Sequence, residues 1–338
     1  MPFNLNRNLK WERSVLSLIF FLISAALTAS QSNSSLKLEK TVELPDVRGR
    51  IDHMSVDVKG RRLFVSALGN NTVEVIDVKD GKRIKTITGL WEPQGVLYVP
   101  DTDRLYVANG KDGRVRIFDG TSYALQKTIE YGDDADNLRY DARHRRIYVG
   151  YGGGAIAAID NQGNKADEVK VDAHPESFQL EKDSSRMYVN LPGSRKVAVL
   201  DLDKHSVIAK WGTGMAFSNY PMTLDEANHR LFVVTRLPAR LLVFDTDSGK
   251  VIQSLPVVGD CDDVFYDKTR KRIYASGGDG AISVFEQKDA DHYSDAGRIA
   301  TVKGARTSFF SSDLDRLFLA VRRQGSQPAA VRIFAPAP

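Results

Sequence analysis

Cysteine is almost absent from this chain of 338 residues, which contains Cys261 alone. A single thiol excludes an intramolecular disulfide, a zinc site built from cysteines and CxxC redox chemistry. Cys261 lies within Gly259-Asp-Cys-Asp-Asp263, where three neighbouring carboxylates would raise the thiol pKa and suppress the reactive thiolate. We therefore interpret Cys261 as an inert small residue.

The chain also lacks a strong excess of either charge. Lys and Arg number 47 and Asp and Glu number 43, which gives a formal net charge of +4. This balance argues against a dedicated nucleic-acid-binding protein, and the apolar share of 42% is that of a globular chain. No haem attachment motif occurs, and Gly152-Gly-Gly154 lies between two predicted strands rather than before a helix, so nucleotide binding is not indicated.

Only one long apolar run occurs, from Val15 to Ala29. Basic residues precede this run and small polar residues follow it, which predicts a secretory signal over residues 1–30 with cleavage near Ala29 or Ser30. The run is short for a bilayer span, which needs about 20 residues, although an uncleaved anchor stays an alternative. We expect a single mature domain, residues 31–338, without an integral membrane domain, in the periplasm or secreted.

The rest of the chain is one unit repeated seven times. Each repeat has an arginine, then Leu, Ile or Met, then an aromatic residue and a small or β-branched tail, as in Arg104-Leu-Tyr-Val-Ala108. The spacings between successive arginines are 42, 42, 40, 44, 42 and 44 residues. The seven arginines are Arg62, Arg104, Arg146, Arg186, Arg230, Arg272 and Arg316.

A period of this length, filled with short β-type runs, is typical of four strands per repeat. We therefore predict an all-β fold, a seven-bladed β-propeller. The seventh repeat ends at Phe334 after its third strand, while Leu36 to Leu44 forms a strand outside any repeat. We expect this N-terminal strand to pair with the last blade, which closes the ring and protects its edges.

The strand motif resembles the YVTN repeat, most closely at Tyr106-Val-Ala-Asn109 and Tyr188-Val-Asn-Leu191. Residues 225–230 and 304–308 likewise resemble segments of the YncE-like proteins. The resemblance covers residues 36–334 and implies an exported bacterial seven-bladed propeller. It supplies no catalytic motif that transfers to this chain, and the Gly-His and Trp-Asp pairs of WD repeats are absent.

Polar side chains recur where the fourth strand of one blade leads into the first strand of the next. In propellers these loops surround one mouth of the central channel, and each repeat supplies more polar groups there than a turn requires. The candidate ligand-binding residues at this mouth, with Arg236 from a neighbouring loop, are Arg50, Asp52, His53, Glu92, Gln94, Asp134, Asp136, Asn137, His174, Glu176, Asn219, Tyr220, Arg236, Asp262, Asp263 and Arg306.

We favour the hypothesis that these residues hold a protein, peptide or small-molecule ligand, without a cofactor. A ring of solvated carboxylates with no ligand is equally compatible with the sequence. Metal binding is a further hypothesis, because hard oxygen ligands suit Ca²⁺ or Mg²⁺. Its candidate ligands are Asp52, Glu92, Asp134, Asp136 and Asp262.

The alternative to a binding protein is an enzyme. Some propeller hydrolases and lyases, including lactonases, resemble this chain in outline. In that hypothesis His53, His174 and Glu176 transfer protons, and Arg50, Arg236 or Arg306 stabilises an oxyanion, with Ca²⁺ or Mg²⁺ as an optional cofactor. Likeness at the level of the fold is a weak warrant for activity.

Overall fold

The computed structural model describes Met1 and residues 34–338, so the predicted signal lies outside the described residues from residue 2 onward. The described part consists of seven four-stranded antiparallel sheets and three short 3₁₀ turns. The predicted all-β, seven-bladed propeller is therefore confirmed. Within residues 34–338, no helix is both long and apolar enough to cross a bilayer.

The first four blades follow the chain order from the inner to the outer strand. Blade one contains β2 (Met54–Asp57), β3 (Arg62–Ala67), β4 (Thr72–Asp77) and β5 (Lys82–Ile87). Blade two contains β6 (Pro93–Val99), β7 (Arg104–Asn109), β8 (Arg114–Asp119) and β9 (Leu125–Glu130). Blade three contains β10 (Ala135–Asp141), β11 (Arg146–Tyr151), β12 (Ala155–Ile159) and β13 (Lys165–Lys170). Blade four contains β14 (Phe178–Leu180), β15 (Arg186–Leu191), β16 (Lys196–Asp201) and β17 (Ser206–Gly212).

The remaining blades keep this order, except that the last takes its outer strand from the start of the chain. Blade five contains β18 (Phe217–Asp225), β19 (Arg230–Leu237), β20 (Ala239–Asp245) and β21 (Val251–Pro256). Blade six contains β22 (Cys261–Asp267), β23 (Arg272–Gly277), β24 (Ala281–Gln287) and β25 (Tyr293–Ala300). Blade seven contains β26 (Ser308–Ser311), β27 (Arg316–Val321), β28 (Ala329–Pro336) and β1 (Leu36–Leu44).

The repeated motif forms the second strand of every blade. Each of these strands begins at the arginine of its repeat, as predicted. The aromatic residue two positions later is buried in all seven blades, where it packs against a neighbouring blade and fixes the spacing between the sheets. These aromatic residues are Phe64, Tyr106, Tyr148, Tyr188, Phe232, Tyr274 and Phe318.

The ring is closed by the predicted pairing of its two ends. β1 pairs antiparallel with β28 from Leu36↔Pro336 to Leu44↔Ala329 and forms the outer strand of blade seven. Leu36, Val42 and Leu44 of this strand are buried. Neighbouring inner strands are in contact around the whole ring, from β2 through to β26 and back to β2.

The hydrophobic core is divided among the spaces between blades. Seven clusters of buried apolar residues occur, and each combines side chains from two adjacent blades. Because packing holds the outer parts of the blades together, the inner strands are free to carry polar side chains into the channel. The candidate site therefore lies among the inner strands, around the channel.

Candidate functional site

All seven blades contribute polar side chains to one cavity at the predicted channel mouth. The cavity has a volume of about 240 Å³. Thirteen of the sixteen predicted residues line it, together with Ser177, which sequence analysis missed although it directly follows Glu176. The thirteen are Arg50, Asp52, His53, Gln94, Asp134, Asp136, Asn137, His174, Glu176, Tyr220, Arg236, Asp262 and Arg306.

The structure places the other three predicted residues elsewhere. Glu92 is exposed on the loop before β6, and its backbone amide donates a hydrogen bond to Asn71 Oδ1 at 2.8 Å. Asn219 is fully buried, and its Nδ2 donates to Asn190 Oδ1 at 2.9 Å and to the Lys196 carbonyl at 3.0 Å. Asp263 lines a second cavity along the channel.

Irregular pairing in four inner strands positions much of the mouth. The register between the first and second strands shifts in β6, β10, β18 and β22. A β-bulge breaks the alternation of side chains and can turn consecutive residues toward the same space. Gln94, Asp136, Asn137, Tyr220 and Asp262 all lie within these shifts and all line the cavity.

Asp136, His174 and Glu176 form the acidic side of the mouth. Each can offer one atom such that all three atoms lie within 4.8 Å of one another. His174 Nε2 lies 3.9 Å from Asp136 Oδ2, which is too long for a hydrogen bond. On its other side, His174 Nδ1 is 2.7 Å from the Gly152 carbonyl oxygen, so Nδ1 donates there and Nε2 faces Asp136.

Two glycines leave room for this acidic side. An added Cβ at Gly95 in β6 would collide with the carbonyl oxygen of Asp136. At Gly150 in β11, a Cβ would lie 3.0 Å from Pro175 Cγ, and Pro175 separates His174 from Glu176. Neither glycine has the left-handed backbone conformation, so close approach between blades is the reason for glycine here.

Arginines and carboxylates form the opposite side of the mouth. Arg306 pairs with Asp260 at 2.8 Å and with Asp262 at 2.7 Å. Arg236 also pairs with Asp262, and its guanidinium carbon lies 4.2 Å from the centre of the Tyr220 ring. These contacts hold a flat face of arginine and tyrosine at the edge of the cavity.

His53 separates the mouth from the second cavity. Its Nε2 lies 3.8 Å from Asp136 Oδ1, and its Nδ1 lies 3.9 Å from Asp263 Oδ1. His53 and Asn137 line both cavities, and the second has a volume of about 300 Å³. Arg139 also lines it, where burial lowers the pKa of the guanidinium.

Burial and neighbouring charges shift several pKa values at the mouth. Burial raises the pKa of Asp52 to about 6, that of Glu176 to about 8 and that of Asp263 to about 7. Burial alone would lower the pKa of His174, but Asp136, the Gly152 carbonyl and Asp134 outweigh it and raise the pKa to about 9. The pKa of His53 is also raised: burial disfavours the charged imidazole, but the nearby carboxylates outweigh that effect. The site thus favours added positive charge.

Comparisons with known proteins agree with this architecture. No family model matches the chain. Two curated relatives, both named uncharacterized protein YncE, come from Salmonella typhi and Salmonella typhimurium. Each is 23% identical over 272 residues, and the match covers 76% of this chain and 65% of the relative's own length. The chain is thus similar in sequence to the YncE proteins, and its fold is a seven-bladed propeller.

Two solved structures share the propeller fold of this chain. A chain of hydrazine synthase from Kuenenia stuttgartiensis has a TM-score of 0.72 and 18% identity, with coverage of 85% of this chain and 97% of that one. A chain of the mitotic checkpoint complex has a TM-score of 0.74 and 14% identity, with coverage of 88% and 91%. At these identities the likeness concerns the fold alone.

Cys261 does not take part in the mouth. The thiol is buried, and its Sγ lies 3.1 Å from the carbonyl oxygen of Val258. Burial, reinforced by Asp262, raises the thiol pKa well above its ordinary value. These observations agree with the inert role expected from the sequence.

Proposed function

We propose that this protein is an exported binding protein that holds a polar ligand at the channel mouth. One observation carries the proposal: polar side chains from all seven blades meet at a single cavity. Convergence of polar groups on one cavity is typical of a ligand site. Export rests on the signal predicted over residues 1–30.

The distribution of charge indicates the kind of ligand. Arg50 pairs with Asp52 at 3.0 Å, and Asp262 is paired with two arginines. Asp136 and Glu176, by contrast, make no ion pair with Lys or Arg in the described part of the chain. We therefore infer that the ligand directs a positive group toward these two carboxylates and rests its remaining atoms against Tyr220 and the arginines.

The size of the cavity indicates the extent of the ligand. A volume of about 240 Å³ suits a small molecule or the end of a peptide, because pockets for drug-sized ligands have volumes of about 300–1,000 Å³. A protein partner would therefore have to insert one segment. Amines, amino acids and short basic peptides are the first ligands to test.

A thermal-shift screen tests this function. We would measure the Tm of the full-length chain with diamines, amino acids, basic peptides, sugars and lactones, each in a chelator-containing buffer. A ligand at a hundred times its Kd contributes about 2.7 kcal/mol and raises the Tm by a few degrees. The double variant Asp136→Asn/Glu176→Gln should lose that shift, whereas Asp247→Asn, an exposed residue on the far face, should keep it.

Two outcomes would count against the proposal. One is a ligand whose shift is the same in the double variant and the unaltered chain, because it must then bind elsewhere. The other is a flat response to every class in the screen. Turnover of a lactone or ester that Glu176→Gln abolishes would instead support the enzyme hypothesis, which the ion-paired state of Arg306 does not favour.

A further inference from the structure

Oδ1 of Asp136 is a buried carboxylate oxygen without a hydrogen-bond donor. Its residue is 5% exposed, and no donor among residues 34–338 lies within hydrogen-bonding distance of Oδ1. A buried and unsatisfied polar atom typically costs about 1–3 kcal/mol, and more when the group is charged. His53 and His174 lie 3.8 and 3.9 Å from this carboxylate, too far to donate a hydrogen bond, so its burial points to a binding partner that reaches it from within the cavity.

His174 is oriented as a metal-binding histidine is. Its Nδ1 donates to the Gly152 carbonyl at 2.7 Å, so Nε2, which faces Asp136, is the nitrogen left to bind an ion once the ion displaces its proton. Histidines that bind metals commonly donate their other ring nitrogen to a carbonyl or carboxylate in this way. The 3.9 Å between Nε2 and Asp136 Oδ2 leaves space between the two atoms.

Glu176 completes a set of three ligands from two blades. Asp136 lies in the irregular part of β10, while His174 and Glu176 flank Pro175 on the loop before β14. One ligand atom from each of the three lies within 4.8 Å of the others, so a small inward movement would bring all three to one ion. The open side of this set faces the cavity, where a ligand could reach the same ion.

We propose that Asp136, His174 and Glu176 bind one divalent transition-metal ion, with Zn²⁺ as the best match. One imidazole and two carboxylates suit Zn²⁺, whereas Ca²⁺ and Mg²⁺ prefer oxygen ligands alone. The set differs from the acidic ring suggested by sequence, since it omits Asp52, Glu92, Asp134 and Asp262. This inference rests on the proposed function, because the metal would supply the positive charge at the mouth.

Isothermal titration calorimetry of ZnCl₂ into the chelator-treated full-length chain tests the proposal. We expect one Zn²⁺ per chain, and binding weakened about tenfold or more in Glu176→Gln and in Asp136→Asn. CaCl₂ should give no comparable binding. Co²⁺ should give a visible absorption band that Zn²⁺ removes, which reports on the ligands directly. Circular dichroism and Tm establish that each variant is folded.

The matched control is His229→Ala/Asp247→Asn. This exposed pair on the far face also joins a histidine to a carboxylate, at 3.1 Å, and its loss should leave Zn²⁺ binding unchanged. Absence of Zn²⁺ binding, tighter binding of Ca²⁺ than Zn²⁺, or equal Zn²⁺ affinity in Glu176→Gln would each overturn the proposal.

The metal titration and the ligand screen test the metal site and the binding function independently of each other. The titration contains no organic ligand, and the screen contains chelator. An organic ligand that binds without metal, in a chain that does not bind Zn²⁺, would overturn the metal site and leave the binding function intact. Zn²⁺ binding with no response in a screen repeated on the metal-loaded chain would leave the metal site and count against an organic ligand.

Discussion

Gly95 makes room for the backbone that carries Asp136. A Cβ at Gly95 would collide with the carbonyl oxygen of Asp136 across the contact between blades two and three. Gly95→Ala must therefore push β6 and β10 apart, and we expect the free energy of unfolding to fall by about 1–3 kcal/mol. Urea denaturation followed by circular dichroism measures this loss.

Gly153→Ala is the matched control, because no atom lies within 4 Å of a Cβ added there. Its effect should stay within about 0.5 kcal/mol. If Gly95→Ala and Gly153→Ala unfolded at the same urea concentration, the close approach at Asp136 would not matter to stability.

Asp263 should make stability depend on pH. Burial raises its pKa to about 7, although His53 and the Ser308 amide oppose the shift, and Asp262 and Asp52 add to it. The folded chain thus keeps a proton that the unfolded chain releases above about pH 4. The stabilisation from this proton is present at low pH and is lost as the pH rises from about 4 through 7.

The prediction is tested by the Tm of the unaltered chain and of Asp263→Asn between pH 5 and pH 8. Asparagine cannot lose a proton, so Asp263→Asn should gain stability relative to the unaltered chain as the pH rises. The gain should be about 1 kcal/mol or more, because one unit of pKa corresponds to about 1.4 kcal/mol. Asp247→Asn, at an exposed site, should show no such trend, and parallel curves for Asp263→Asn would contradict the assignment.

β1 is the strand that closes the ring, and its buried side chains should contribute to the stability of the whole domain. Leu44 of β1 is fully buried in the cluster shared with blade one, while Leu38 in the same strand is 46% exposed. Leu44→Ala should therefore lower the free energy of unfolding by about 2–5 kcal/mol. Leu38→Ala makes the same chemical change at the surface and should cost about 0.5 kcal/mol or less. Denaturation with guanidinium chloride compares the two, and equal losses would show that burial of β1 is not what holds it.

Strands could be predicted from the sequence far better than the irregularities within them. The second strands were predictable because each places an arginine and a buried aromatic residue at fixed positions of the repeat. The bulges in β6, β10, β18 and β22 leave no comparable pattern, because they depend on how each inner strand meets its neighbours. Asn219 illustrates the consequence: it was predicted to line the mouth, yet the irregular strand β18 turns Tyr220 there instead and buries Asn219.

At the scale of the whole molecule, the repeat explains the ring but not the site. Seven similar units require seven similar blades, so fold and closure follow from periodicity alone. The mouth departs from this symmetry: the carboxylates of blades three and four lie beside histidines, whereas the arginines of blades five and seven are paired with aspartates. The face of the site was therefore predictable from the alignment of repeats, whereas the grouping of Asp136 with His174 and Glu176 required the positions of two adjacent blades.

A closed ring should unfold as one unit. Each hydrophobic cluster joins two blades, and blade seven is joined to blade one through β1 and β2. No blade can therefore leave without exposing the cores on both of its sides, in contrast to an open array of repeats, which can fray from an end. A substitution in β1 should consequently affect blades on the opposite side of the ring.

Trp211 makes this prediction measurable, because it lies in blade four between Tyr188 and Phe244. We would use a chain with Trp211 as its only tryptophan, made by Trp11→Phe and Trp91→Phe, and follow its fluorescence during denaturation. Leu44→Ala in blade seven should shift the fluorescence midpoint of Trp211 by the same amount as the midpoint from far-ultraviolet circular dichroism. An unchanged fluorescence midpoint, with only the circular dichroism shifted, would mean that the blades unfold separately and that β1 secures blade seven alone.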